Sequence, residues 1–150
     1  MTSINPFLFS GNSLKPLFRS TTEPASKSDK NTPLPRILVV DDEVLIADTI
    51  VQILNRNGFI AEAAYSGAEA IEIAKRSCPD LLLSDVLMPH LDGVEAAIAI
   101  RALCPDTRIV LFSGQSATVE ILERASRRGH IFELLPKPIH PTQLIKHLSQ

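Results

Sequence analysis

From Arg36 onward the chain alternates short apolar runs with stretches whose apolar residues recur every three or four positions. Ile37-Leu38-Val39-Val40 is a continuous apolar run of the kind a strand shows when both faces are buried, and it stops at Asp41. Ile46, Ile50, Ile53 and Leu54 then fall at i, i+4, i+7 and i+8, one face of a helix, with Gly58 placed for a left-handed cap. The same unit recurs. Phe59–Ala64 predicts a second strand, and Ser66 with Glu69 forms a capping-box signature ahead of a helix carrying Ala70, Ile73 and Ala74. Leu81-Leu82-Leu83 predicts a third strand, after which a loop through Pro89 and Asp92-Gly93 leads to a helix with Val94, Ala97 and Ile98. Arg108–Phe112 predicts a fourth strand that ends at Ser113. Ser116 is placed to cap a helix with Val119, Leu122 and Ala125, closed by Gly129. Ile131–Leu135 predicts a fifth strand, and Pro141 starts a short last helix. Five strands alternating with five helices imply an α/β fold, a doubly wound parallel sheet covered on both faces. In open sheets of this kind the ligand site lies beyond the carboxyl ends of the strands.

Residues 1–35 lack this periodicity. They hold five of the eleven prolines and many Ser and Thr, which predicts a flexible N-terminal extension over 1–35 and a folded domain over 36–150. Phe7, Leu8, Phe9, Leu17 and Phe18 would suit a docking segment, although a plain leader is the simpler expectation. At 45% hydrophobic and 21% charged residues the composition is that of a globular protein, and 150 residues are enough for one core without staples. Charge is uneven. Lys15, Arg19, Lys27 and Lys30 against Glu23 and Asp29 make the extension +2, so the net −2 of the chain leaves −4 on the domain. An acidic domain is poorly suited to non-specific nucleic-acid binding. No apolar run approaches the ~20 residues of a membrane span. Cys78 and Cys104 each precede a proline at a predicted helix end and lack CxxC spacing, so free thiols and a reducing, cytoplasmic location are expected.

The chemistry-bearing residues fall at the strand ends: Asp41-Asp42 after the first, Asp85 after the third, Ser113 after the fourth, Lys137-Pro138 after the fifth. The fold would bring them to one rim. Three carboxylates in close reach repel one another unless a cation neutralises them, and Mg²⁺ takes carboxylate and phosphate oxygens readily. With an ammonium at Lys137 and a hydroxyl at Ser113, such a rim could position a phosphoryl group for attack by Asp85, giving an acyl phosphate. Taken singly, each piece has an ordinary reading. Acids before a helix favour its N-terminus, Ser-Gly is turn chemistry, and a Lys before Pro is usually solvated. His90, His130, His140 and His147 lack metal-site spacing and read as surface residues, and Arg124, Arg127 and Arg128 as a solvated basic face.

Taken together, Ile37–Asp42, Asp85-Val86-Leu87-Met88-Pro89 with Asp92-Gly93, Ser113 and Lys137-Pro138 resemble the response-regulator receiver family over about residues 35–150. The resemblance implies a flavodoxin-like sheet of order 2-1-3-4-5 with five flanking helices. It also implies a phosphorylation switch: Asp85 as acceptor, a histidine kinase or phosphotransfer protein as donor, and Mg²⁺ ligated by Asp42, Asp85 and the carbonyl of Leu87. Asp41 would complete the acid pair, and Ser113 and Lys137 would read the phosphate. A cis Lys137–Pro138 peptide is a further implication.

Two departures bear on switching. The family usually carries Tyr or Phe three residues before the lysine, where this chain has Leu134, with Phe132 two residues further upstream. An aromatic switch is therefore not expected, and output is expected through protein contacts with a separate output protein, a homodimer remaining open. The rivals are a pseudo-receiver that docks without phosphorylation, against which the complete residue set argues, and an Mg²⁺-dependent aspartyl-phosphate hydrolase. The latter needs an Asp two residues beyond the nucleophile, where this chain has Leu87.

Overall fold

The computed structural model describes residues 32–114 and 118–150, so residues 1–31 of the predicted extension and the Ser116 cap lie outside the described residues. Leu34–Gln150 form one compact unit. Its elements are β1 (Arg36–Val40), α1 (Val44–Asn55), β2 (Ile60–Ala64), α2 (Gly67–Arg76) and β3 (Leu81–Asp85), then α3 (Gly93–Leu103), β4 (Arg108–Ser113), α4 (Thr118–Arg127), β5 (Glu133–Pro136) and α5 (Pro141–Leu148). The strands are parallel in the order β2-β1-β3-β4-β5, the order expected.

Alternation along the strands sorts the core into two layers. Leu38 and Val40 of β1, Leu82 of β3 and Leu111 of β4 face α2, α3 and α4 through Ala70, Ala74, Val94, Ala97, Ile100 and Ala125. Ile37, Val39, Leu83, Val110 and Phe112 point the other way, onto Ala47, Ile50 and Leu54 of α1 and Leu144 and Leu148 of α5. The three central strands are thus covered on both faces, which is why they read as continuous apolar runs.

Local signals resolve as follows. Ser66 caps α2, its hydroxyl accepting from the Glu69 amide at 3.1 Å, while the Glu69 carboxylate accepts from the Tyr65 amide at 2.8 Å, one residue further back than in the simple capping box. Asp92 caps α3 by accepting from the Glu95 amide at 2.8 Å. Gly58 and Gly129 take positive φ, 89° and 90°, just past α1 and α4.

Three expectations need correction. The last strand begins at Glu133 rather than Ile131, because Ile131 is 78% exposed and β4 offers ladder partners only from Glu133 to Pro136. His130 and His147 are half-buried rather than plain surface residues: His130 stacks on Phe132 and His147 lies 3.3 Å from Glu133. The cysteines are not free. Cys78 and Cys104 form a disulfide, their Cα atoms 5.7 Å apart, within the normal range. The reason is packing: α2 and α3 lie side by side and end at the same rim, so the residue after the α2 cap Ser77 meets Cys104, the cap of α3. Free thiols therefore no longer argue for a reducing compartment. No helix among the described residues is long and apolar enough to cross a membrane.

Candidate functional site

The carboxyl ends of β1, β3, β4 and β5 carry the predicted residues to one place. A cavity of about 280 Å³ is lined by Asp42, Glu43, Asp85, Leu87, Ser113, Gly114 and Lys137. Asp41, next to the lining residue Asp42, is itself fully buried, its amide donating to the Ala64 carbonyl at 3.1 Å. Asp85 is the last residue of β3, 7% exposed and in register with Phe112 of β4. Ser113 ends β4 and is buried, and its carbonyl accepts from the Lys137 amide at 3.0 Å, which ties the loop after β5 to the site. The Lys137–Pro138 peptide is cis.

Lys137 reaches back over the rim. Its Nζ stands 3.4 Å from Asp85 Oδ2 and 4.0 Å from Asp41 Oδ2, and 4.9 Å above the centre of the Phe112 ring. Gly114 leaves room for this side chain, since a Cβ there would come within 3.0 Å of Lys137 Cβ. Gly93 is required more strictly. A Cβ on it would stand 1.8 Å from the Asp85 carbonyl oxygen, and its amide donates to the Val86 carbonyl at 2.8 Å, so α3 begins in backbone contact with the end of β3.

The acids are held against their electrostatic preference. Burial pushes the Asp41 carboxyl up to about 6, opposed by the Glu43 amide donating to Oδ1 at 2.9 Å and by Lys137, and helped by the charges of Asp85 and Asp42. Burial raises Asp85 as well, opposed chiefly by Lys137 and then by the amides of Leu87 and Val86. Asp41 Oδ2 is buried with no hydrogen-bond partner. Oxygens of Asp41, Asp42 and Asp85 lie within 4.8 Å of one another. A buried carboxylate oxygen lacking a donor, beside two more carboxylates, one of them exposed, is a donor set suited to a hard divalent cation.

Two contributors escaped the sequence reading. Phe112, read only as strand core, is the floor under the Lys137 ammonium. Glu43, read as helix-terminal charge, lines the cavity and braces Asp41 through its amide while capping α1 without a side-chain bond. Phe132, the aromatic two residues upstream of Leu134, is engaged elsewhere: Arg101 lies 4.3 Å over its ring and His130 stacks against it. Leu134 is 46% exposed. In the basic cluster, Arg128 pairs with Glu95 at 3.0 Å.

Comparison with known proteins places this arrangement in a family. The sequence profile described as the response regulator receiver domain matches residues 37–149. The response regulator MprA of Mycobacterium ulcerans is 33% identical over 113 residues, covering 75% of this chain and 48% of the relative, and MprA of Mycobacterium leprae is equally similar over 75% and 49%. The chain thus spans about half the length of these curated relatives. Among solved structures, a response regulator receiver domain protein from Clostridium thermocellum superposes with a TM-score of 0.69 at 28% identity, covering 77% of this chain and 92% of that one. The chemotaxis protein CheY4 of Vibrio cholerae gives 0.69 at 27%, covering 78% and 98%. The chain belongs to the response regulator receiver domain family, whose members are signalling domains of two-component systems.

Proposed function

We propose that this protein is a phosphorylation switch in which Asp85 accepts a phosphoryl group from a phosphohistidine on a histidine kinase or phosphotransfer protein. The observation that carries the reading is the convergence, at one cavity, of a buried acceptor carboxylate, an ammonium 3.4 Å from it and two further acids. An Asp85 oxygen attacks phosphorus, the P–N bond of the donor breaks, and the imidazole leaves with the electron pair and is protonated; Asp85 is left as an acyl phosphate.

Asp42, Asp85 and the Leu87 carbonyl would hold Mg²⁺, with Asp41 acting mainly through bound water. Bound there, Mg²⁺ would neutralise charge on the transferring group and the carboxylates. Lys137 and Ser113 each hold a phosphoryl oxygen, and Phe112 keeps the ammonium aimed inward. Gly114 leaves the space open. Leu87, which borders the cavity, has no group to orient an attacking water, so the phosphorylated state persists. Output passes by protein contacts, for which Val119 and Leu134, 55% and 46% exposed, supply apolar surface around α4 and β5. A docking module that is never phosphorylated would not require the buried, electrostatically opposed carboxylates. The test is incubation with acetyl phosphate and Mg²⁺. Wild type should gain one phosphoryl group by intact mass and Asp85→Asn none; equal gain in both would remove Asp85 from the role.

A further inference from the structure

At the rim opposite the carboxylate cavity, the two cysteines of the Cys78–Cys104 disulfide are unequally exposed. Cys104 is 2% exposed and caps α3, whereas Cys78 is exposed, one residue past the α2 cap. Each sulfur also lies beside a helix-end carbonyl: Cys78 Sγ is 3.9 Å from the Leu103 oxygen, and Cys104 Sγ is 3.8 Å from the Ala74 oxygen. A disulfide has no hydrogen to donate there. Two thiols do, and once the sulfurs have moved apart to non-bonded distance each has a carbonyl close by for a weak S–H···O contact. Reduction therefore leaves the buried Cys104 thiol with an acceptor close at hand, the Ala74 oxygen.

We propose that Cys78–Cys104 is a reversible thiol–disulfide exchange site, opened and closed from the Cys78 side by a soluble thiol or dithiol. An incoming thiolate attacks Cys78 Sγ from solvent, in line with the S–S bond. That bond breaks as the mixed disulfide forms, and the Cys104 sulfur leaves inward with the electron pair and takes a proton. The second thiol of the dithiol then releases Cys78. In all, two electrons and two protons pass to the cysteine pair and the dithiol becomes a disulfide. Attack on Cys104 is blocked by its burial. The same burial leaves Cys78 as the thiol that a small disulfide can reach, so re-oxidation also begins at Cys78.

The ring that this bond closes, 26 residues apart in sequence, contains β3, Asp85, Leu87 and all of α3. Opening it leaves the far end of α3 in place, held by the Asp92 cap and the Gly93 amide. Redox state thus tunes how firmly the acceptor segment is held without altering its immediate contacts.

The test uses the full chain under native conditions, treated with dithiothreitol or oxidised glutathione, pulsed with iodoacetamide and read by intact mass and peptide mapping. The oxidised chain should resist alkylation. After dithiothreitol, Cys78 should be alkylated about tenfold or more faster than Cys104, and oxidised glutathione should restore resistance. Cys104→Ser should carry glutathione on Cys78, and Cys78→Ser should stay unmodified. A bond that yields to dithiothreitol only after denaturation, equal alkylation rates at the two cysteines, or thiols that oxidised glutathione fails to pair would each overturn the proposal, and all three are read on the wild-type chain.

Discussion

Replacing Asp41 with asparagine should stabilise the metal-free protein at neutral pH. Asp41 is fully buried, one oxygen accepts only the Glu43 amide, the other has no hydrogen-bond partner, and the nearest ammonium stands 4.0 Å away. Burial, with the charges of Asp85 and Asp42, raises the carboxyl from its ordinary 3.8 to about 6. A raised carboxyl means that the folded state binds the proton more tightly than the unfolded one. The fold is therefore penalised in full above about pH 6, and the penalty is relieved as pH falls through 6 towards 3.8. At about 1.4 kcal/mol per tenfold in proton affinity, the difference amounts to roughly 3 kcal/mol. Asparagine keeps an oxygen for the Glu43 amide and removes the charge, but it also forfeits the attraction to Lys137. Asp41→Asn should thus gain about 1–3 kcal/mol at about pH 7.5. Urea denaturation followed by circular dichroism, with a chelator present, measures it. At about pH 4.5 the advantage should shrink below ~1 kcal/mol. An Asp41→Asn protein no more stable than wild type at neutral pH, or equally favoured at both pH values, would refute the argument that buried charge is held here at the expense of stability.

Other substitutions probe separate parts of the site. Asp42→Ala should weaken Mg²⁺ binding by about tenfold or more in titration calorimetry, and unchanged affinity would remove Asp42 from the ligand set. Leu87→Asn should shorten the lifetime of the phosphorylated form, followed by intact mass after the phosphodonor is removed, because its amide can orient a water while the backbone carbonyl is retained; a longer lifetime would contradict this. Gly93→Ala should lose about 1–3 kcal/mol in denaturant and lower the phosphorylation rate, since its Cβ would press on the Asp85 carbonyl oxygen. Wild-type stability in that variant would mean that the start of α3 moves freely.

Which features were legible in the sequence follows the range of the interactions behind them. β1, β3 and β4 are buried on both faces, so Ile37–Val40, Leu81–Leu83 and Ile109–Phe112 announce themselves as unbroken apolar runs, and the acids that end those runs had to share a rim once the strands were parallel. Ser66 and Asp92 cap through residues three positions away. What escaped depends on contacts between distant segments. Asp41 and Asp42 are equivalent as letters, yet one is fully buried and the other exposed, and only the packing of β1 against β2 and β3 separates them. Cys78 and Cys104 carry no spacing signal because their approach is set by how α2 lies on α3. Ile131 and Phe132 have strand-like composition, but Phe132 is held between Arg101 and His130 ahead of the ladder, a local preference overridden by tertiary contacts.

The most direct test of the central claim is to locate the phosphoryl group chemically. Wild-type protein is treated with acetyl phosphate and Mg²⁺, reduced with borohydride, which converts an aspartyl phosphate to homoserine, and digested for peptide mass mapping. The account predicts homoserine at position 85 and an unmodified Asp41 and Asp42, with no conversion when Mg²⁺ is chelated. Conversion at Asp41 or Asp42, or no conversion at position 85 with Mg²⁺ present, would contradict it.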